Sequence, residues 1–248
     1  MPEDFNEVQL SNEYIEQLVF DERCRIYFEL KDKQAAITKQ LEREYLIKPF
    51  SAEELKKYIL ANNPKFVVDS TVEELFNLLC YYFTNDKRFE DAGYSLEKGI
   101  AISGVPGCGK TELLKLFQKN KVAGFLTINI NDIIVDCIEN GIEKHKWYCG
   151  YVPGWNNLPA YFFQQNIGWM FDDIGLEEMI NDYGNKAYVF SKIIQSRYTN
   201  KEKLSFRSLH ITTMLTPDQL EAKYGSFIRS RFREMFNYFH YKGEDRRR

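Results

Sequence analysis

Hydrophobic and polar positions change their spacing along the chain, and this change divides it into two regions. Up to about residue 66, apolar residues recur at helical spacing among many charged ones. The segment Ser51–Glu54 has the capping-box pattern, which predicts a helix that begins after Ser51 and ends at Asn62–Pro64. We therefore expect an N-terminal helical region over 1–66 and a second domain over 67–248.

The second region opens with another capping-box pattern at Thr71–Glu74, after which apolar residues follow one helix face. From residue 99 onward, short apolar runs alternate with segments of helical spacing. The runs typical of buried strands are 99–103, 124–128, 167–171 and 209–213. The helical patterns are 109–119, 130–140 and 184–199. This alternation predicts an α/β fold with a mainly parallel sheet, which binds ligands beyond the carboxyl ends of its strands.

Composition narrows the classes of function. The 248 residues are 44% hydrophobic and 28% charged, which is typical of a globular protein, and the net charge of −3 leaves only local patches for nucleic acid. The start of the chain has no signal-peptide pattern, and no apolar run approaches the roughly 18 residues that a membrane-spanning helix needs. The five cysteines form no C-x-x-C pair, which argues against a zinc ribbon. We expect a cytoplasmic protein with reduced thiols and no membrane partner.

The first apolar run leads into a complete G-x-x-x-x-G-K-[ST] motif at 104–111, and a helical pattern follows it. Glycines leave backbone N–H groups free to point at an anion, and the start of a helix adds partial positive charge. Lys110 would bring a full charge to the β- and γ-phosphates of ATP, and Thr111 would offer its hydroxyl to Mg²⁺. The predicted ATP-binding residues are Gly104, Val105, Pro106, Gly107, Cys108, Gly109, Lys110, Thr111 and Glu112.

An acidic pair, Asp172 and Asp173, ends the third apolar run. A carboxylate at such a strand end, beside a phosphate loop, can hold Mg²⁺, so we assign the metal to Asp172 together with Thr111. Asp173 would orient or deprotonate the attacking water. The alternative is an N-cap aspartate followed by a turn glycine, but the phosphate loop upstream favours the catalytic interpretation.

With a C-terminal block, these motifs resemble the bacterial helicase-loader and insertion-sequence ATPase family (DnaC/IstB-like) of AAA+ proteins. The block comprises 210–220, Tyr224–Gly225, 230–236 and 243–247. The resemblance covers about residues 68–248. It implies an AAA+ P-loop core with a reduced or absent C-terminal lid, and an ATPase that acts with ATP and Mg²⁺ in DNA replication. A transposition-associated ATP-binding protein is the alternative within the family.

The resemblance also implies roles for arginines near the end of the chain. Arg231 matches the arginine finger, which reaches the γ-phosphate bound by a neighbouring subunit and so implies a homo-oligomer. Arg246 or Arg247 resembles the second sensor arginine, and we assign Arg247 to the nucleotide. A solvated basic helix face is the alternative for Arg231.

Two positions depart from the family pattern. Where the family has asparagine after two threonines, this chain has Met214, whose thioether cannot donate a hydrogen bond. Either Thr213 takes over that catalytic role, or hydrolysis is slow and the protein is an ATP-gated binding module. A small-molecule phosphotransferase that uses the same loop is a third hypothesis. Phe227 stands where the family frequently has arginine, which removes one basic contact.

Two segments are candidate surfaces for partners. Lys144–Trp155 interleaves basic and aromatic residues in a Gly/Pro-rich stretch, which predicts salt-sensitive binding of single-stranded DNA by stacking. The alternative is a rigid loop whose rings pack on the domain. By resemblance, the N-terminal region would grip a replicative helicase or a transposition partner; otherwise it is a helical cap that completes the core.

Overall fold

A computed structural model of the chain describes residues 51–120, 122–149, 168–182, 185–201 and 205–246, together with 15, 19–26 and 29. The chain divides into two compact units, Met1–Leu46 and Ile47–Arg248. In the smaller unit, residues 19–26 are helical. The sequence places a boundary near residue 66, whereas the larger unit already begins at Ile47. Over the described ranges, none of the helices combines the length and apolar character that a membrane span requires.

The larger unit begins with the helices α1 (Ala52–Asn62), α2 (Glu73–Tyr82) and α3 (Arg88–Asp91). The predicted capping box of α1 is confirmed, because the Ser51 hydroxyl accepts from the N–H of Glu54 and the Glu54 carboxylate accepts from the N–H of Ser51. The box predicted at Thr71–Glu74 is wrong. The Asp69 carboxylate accepts from both the N–H and the hydroxyl of Thr71, at 2.9 and 2.6 Å, and α2 starts only after Val72.

The central sheet has five parallel strands, in the order β2-β3-β6-β1-β7. They are β1 (Gly99–Ser103), β2 (Phe125–Asn129), β3 (Gly168–Ile174), β6 (Leu209–Thr213) and β7 (Phe236–His240). A separate antiparallel pair is formed by β4 (Ile180–Asp182) and β5 (Asn185–Ala187). The predicted α/β class with a parallel sheet is confirmed. The sequence analysis missed β7, and the helix predicted over 184–199 begins only at Val189 because β5 precedes it.

Helices connect the strands and cover both faces of the sheet. They are α4 (Lys110–Lys115), α5 (Ile130–Asn140), α6 (His145–Tyr148), α7 (Val189–Thr199), α8 (Pro217–Tyr224) and α9 (Ser226–Met235). Side chains of β1 alternate between two buried clusters: Ile100 and Ile102 pack with α1, α2 and α4, whereas Ala101 packs with α5, α7, α8 and α9. Because helices bury both faces of the sheet, the sequences of its strands are nearly continuous apolar runs.

β6 carries a fully buried histidine, His210, whose ring packs against aromatic members of the first of these clusters. Its Nδ1 accepts a hydrogen bond from the N–H of Ile100 at 3.1 Å, and the rings of Phe83 and Phe125 lie 5.6 and 4.8 Å from its ring. Burial lowers the pKa of His210 to about 3. The imidazole is therefore neutral in the folded protein at physiological pH.

We predict that His210 makes the fold less stable as the pH falls below about 6.5. The unfolded chain takes up a proton near the ordinary histidine pKa of 6.5, whereas folded His210 stays neutral down to about 3. This difference should lower the free energy of unfolding by up to about 1.4 kcal/mol per pH unit across that window. Urea titrations at pH 7, 6 and 5 measure the slope. A His210→Gln chain, which has no proton to gain there, should show a shallower slope, and equal slopes would contradict the assignment.

Candidate functional site

The loop 104–109 joins β1 to α4 and depends on its glycines. Gly107 and Gly109 have φ angles of 76° and 101°, in the left-handed region that residues with a side chain rarely adopt. A Cβ on Gly107 would also lie 1.8 Å from the Oδ1 of Asp245, so the side chain of this exposed residue would have to move. The left-handed backbone of the loop therefore favours glycine at this point.

Lys110, the first residue of α4, folds its side chain back over this loop. Its Nζ donates to the carbonyl oxygens of Gly104 and Val105, each at 2.9 Å, and the residue is only 6% exposed. These hydrogen bonds hold the ammonium of Lys110 against the loop backbone. Glu112 lies outside this arrangement, since its carboxylate pairs with Lys115 at 3.3 Å on the exposed side of α4.

Oxygen atoms from three elements meet at Asp172, near the end of β3. The hydroxyl of Thr111 donates to Asp172 Oδ1 at 2.7 Å, and the hydroxyl of Thr212, on the neighbouring strand β6, donates to the same oxygen. A carboxylate and a hydroxyl are ligands that suit Mg²⁺, which keeps several waters and is held mainly by substrate phosphates. The part of the chain that is described contains no group of three or more His, Cys, Asp or Glu side chains that would form an all-protein metal cage.

Asp173 points elsewhere because β3 changes its register against β6 between Phe171 and Ile174. Its φ of 60° is left-handed, which is uncommon for a residue with a side chain. The N–H of Asp173 donates to the Thr212 hydroxyl at 3.1 Å, and its Oδ2 accepts from the amide of Asn129 at 3.2 Å. The two neighbouring carboxylates therefore have different partners.

Asn129, at the end of β2, was not identified from the sequence. Its side-chain oxygen accepts from the N–H of Asn131 as the cap of α5, which leaves its amide nitrogen to donate to Asp173. Thr212 was missed as well. The signal that could have found both is a polar residue near the end of a predicted strand, at the edge of the sheet where the phosphate loop lies.

Glu177 is a third residue that the sequence analysis missed. It is 1% exposed, and its carboxylate accepts from the N–H of Gly175 at 2.7 Å and from the hydroxyl of Tyr224 at the end of α8. Burial, and then the charge of Glu177, raise the pKa of Tyr224, so the phenol remains a hydrogen-bond donor. Glu177 thereby ties the turn after the acidic pair to α8.

Thr213, the predicted substitute for the missing asparagine, is fully buried. Its hydroxyl donates to the carbonyl of Ile174 at 2.6 Å and accepts from the N–H of Leu215 at 3.0 Å. These contacts connect the ends of β3 and β6, so a catalytic role for Thr213 stays a prediction. Met214 follows it as a half-buried residue.

Arg231 lies on α9 between two aromatic rings. Its guanidinium carbon is 3.8 Å from the ring centre of Tyr198 and 4.4 Å from that of Phe227. Its Nε is buried and has no hydrogen-bond partner within the described ranges. Arg231 is therefore held by ring faces on a helix surface, and Phe227, at the position of a frequent family arginine, forms part of that arrangement.

Of the two arginines that resemble the second sensor, Arg246 lies within the described residues and Arg247 does not. The backbone N–H of Arg246 donates to the carbonyl of Gly107 at 3.0 Å, and its guanidinium donates to Asp69 at 2.6 Å and to Thr71 at 3.3 Å. Arg247, which we assigned to the nucleotide, lies outside the described residues.

The predicted DNA-binding segment is described in part. The Tyr148 hydroxyl donates to Asp136 at 2.9 Å, and its ring packs edge-on against Trp169 at 5.5 Å. These contacts agree with the alternative in which the rings pack on the domain. The side chain of Trp147 and residues 150–155 lie outside the described residues.

Comparison with known proteins gives no family assignment. No protein-family model matches the chain, and no curated protein matches it. Among solved structures, the chain is similar to a proposed primosome component from Streptococcus pyogenes serotype M3. The identity is 21%, with 73% of this chain and 85% of that chain covered and a TM-score of 0.47. The class of protein therefore rests on the sheet and the loop, which have the α/β arrangement of a P-loop NTPase core.

We predict that the Thr212 hydroxyl stabilises this edge of the sheet. A Thr212→Val change keeps the shape but leaves the N–H of Asp173 without its acceptor, which should cost about 1–3 kcal/mol in the free energy of unfolding. Urea denaturation measures the loss. Thr212→Ser, which keeps a hydroxyl, should recover most of it; if the valine variant is as stable as the wild type, the bond is not structural.

Proposed function

We propose that this chain binds Mg-ATP at the loop 104–111 and hydrolyses its γ-phosphate. One observation carries the proposal: the Thr111 hydroxyl and the Asp172 carboxylate, 61 positions apart in sequence, meet at 2.7 Å, and the residue before Thr111 is the buried Lys110. A positive charge that would bind phosphate and an oxygen pair that would suit Mg²⁺ thus come from the same carboxyl edge of a parallel sheet. This is where α/β folds bind their ligands.

The phosphates would be held by the loop backbone and by Lys110. Left-handed residues in a glycine-rich loop form concave groups of N–H donors that suit anions. The ammonium of Lys110 now donates to the neutral carbonyls of Gly104 and Val105 and to the sulfur of Cys108, so phosphate oxygens would be stronger partners for it. Mg²⁺ bound at Thr111 and Asp172 would neutralise negative charge on the β- and γ-phosphates.

Asp173 would act on the attacking water. Asn129 fixes one oxygen of its carboxylate, and the left-handed backbone turns it away from Asp172. Asp173 would orient the water and take its proton as the oxygen attacks the γ-phosphorus in line with the leaving group. A carboxylate constrained in this way loses little entropy when the water binds.

Arg231 would complete the site from a neighbouring subunit, which makes the active form a homo-oligomer. Contacts with ring faces are modest, on the order of 1 kcal/mol at exposed sites, so Tyr198 and Phe227 can orient the guanidinium without neutralising it. A planar, charged fork can spread positive charge over the transferring phosphoryl group.

The role of this ATPase follows from the motif resemblance alone. We propose that it acts in DNA replication on a helicase or another DNA-associated partner, with single-stranded DNA as a further ligand; transposition is the alternative setting. Met214 favours the second candidate, an ATP-gated binding module with little hydrolysis, because no amide stands at the end of β6.

Lys110 and Asp173 should separate ATP binding from turnover. Lys110→Ala should lower ATP affinity at least about tenfold, because the loop loses its full charge. Asp173→Asn should bind ATP within about threefold of wild type and lose roughly 100-fold or more in turnover. Titration calorimetry and phosphate release measure the two effects. Lys115→Ala is the matched control, since Lys115 lies on the exposed side of the same helix. Wild-type affinity in the Lys110 variant would overturn the proposed site.

Arg231 should act across subunits. Arg231→Ala should lower turnover on the order of 10³-fold and leave ATP affinity unchanged, whereas Arg233→Ala, an exposed neighbour on α9, should have little effect. Mixing Arg231→Ala chains with Asp173→Asn chains at high concentration should restore activity, because some shared sites then contain both groups. A mixture as inactive as its parts would contradict the shared site.

A further inference from the structure

The chain after β7 lies along the first part of the phosphate loop, and we name residues 241–246 the C-terminal strap. The N–H of Tyr241 donates to the carbonyl of Ser103 at 2.7 Å, directly before the loop, and Tyr241 is 3% exposed. Its carbonyl oxygen lies 2.6 Å from where a Cβ on Gly104 would be. Further along, Gly243 packs against Cys108 inside the loop. The strap therefore follows the loop from its start to its middle.

Asp245 brings a negative charge to the centre of the loop. Its Oδ1 would lie 1.8 Å from a Cβ on Gly107, so the carboxylate occupies the space that a side chain would otherwise fill. A polyphosphate bound in the loop would place several negative charges near this carboxylate. Like charges repel, and because Asp245 is exposed, this repulsion is screened by water and salt.

Arg246 anchors the strap at two places. Its N–H donates to the carbonyl of Gly107 at 3.0 Å, which fixes the backbone beside Asp245. Its guanidinium donates to Asp69 at 2.6 Å and to the hydroxyl of Thr71 at 3.3 Å, in the segment before α2. Asp69 in turn holds Thr71 by two hydrogen bonds. These bonds connect the loop, the strap and the start of α2.

We infer that the C-terminal strap is a latch that opposes nucleotide binding, with Asp245 as the repelling group and Arg246 as its anchor. This inference rests on the proposed function, since its ligand is a nucleoside triphosphate in the loop 104–111. Because the closed strap and the bound triphosphate disfavour each other, ATP binding releases residues 241–246. A partner that binds the released strap therefore raises the ATP affinity, and ATP raises the affinity for that partner by the same factor.

Charge neutralisation at Asp245 tests the repulsion. Asp245→Asn should tighten the binding of Mg-ATP about three- to tenfold, and more salt should reduce this gain. Glu244→Gln removes an equal charge from the neighbouring exposed residue and should change affinity less than about twofold. Calorimetry with the full chain, at low and moderate salt, measures both. Weaker or unchanged binding by Asp245→Asn, or equal gains in both variants, overturns the latch.

Hydrogen exchange of the nucleotide-free chain tests the anchor. Arg246→Gln should speed amide exchange over 241–246 at least about fivefold, while Lys242→Gln, an exposed neighbour, should not. Saturating ATP should speed the same amides in wild type. Exchange that is equal in Arg246→Gln and wild type overturns the latch even where ATP binds. If neither the wild type nor Asp245→Asn binds ATP, the proposed function is overturned, and the latch that depends on it is overturned as well.

Discussion

The arrangement of the whole site depends on the hydroxyl groups that converge on Asp172. Thr111 lies in the first turn of the helix after the loop, Thr212 lies on β6, and both donate to one oxygen of a carboxylate on β3. Parallel strands make this possible, because their carboxyl ends meet at one edge of the sheet. β1, which leads into the loop, is next to β6, and β6 is next to β3. The strand order thus brings together a loop and an acidic pair that are far apart in sequence.

Much of this could be predicted from the sequence, because it is encoded locally. The loop motif, the acidic pair and the buried runs each occupy a few consecutive residues. Their local conformation and burial depend mainly on the types of those residues, so they can be predicted from short segments. Asn129, Thr212 and Glu177 are different. Each has its role only through a partner on another element, and the register that selects Thr212 rather than Thr213 depends on the bulge in β3. A shift of one residue along a strand moves a side chain to the opposite face of the sheet. Near a bulge, the local sequence pattern does not determine which face a residue takes.

The omission of β7 has a related physical cause. α9 ends at Met235 and β7 starts at Phe236, with no residue between them, so the glycine, proline or polar cluster that marks most boundaries is absent. Phe236 belongs to the same buried cluster as the residues of α9. Its apolar pattern therefore continues the helix pattern in sequence, although the strand is held by its pairing with β1. For the strap that follows β7, the sequence analysis has only the family resemblance, which implies a sensor arginine at Arg246 or Arg247 and does not predict the contacts of the strap with the loop.

These connections place α9, which carries Arg231, and the strap, which carries Arg246, on one continuous stretch of the chain. Glu177 ties the turn after the acidic pair to Tyr224, at the end of α8, and only Gly225 separates α8 from α9, which carries Arg231. α9 continues without a break into β7, and β7 into the strap. A change at the acidic pair and a change at the phosphate loop therefore act on opposite ends of the same segment. Because β7 is paired along its length with β1, movement in the middle of that segment would break sheet hydrogen bonds, and this favours local release of the strap over a shift of the sheet.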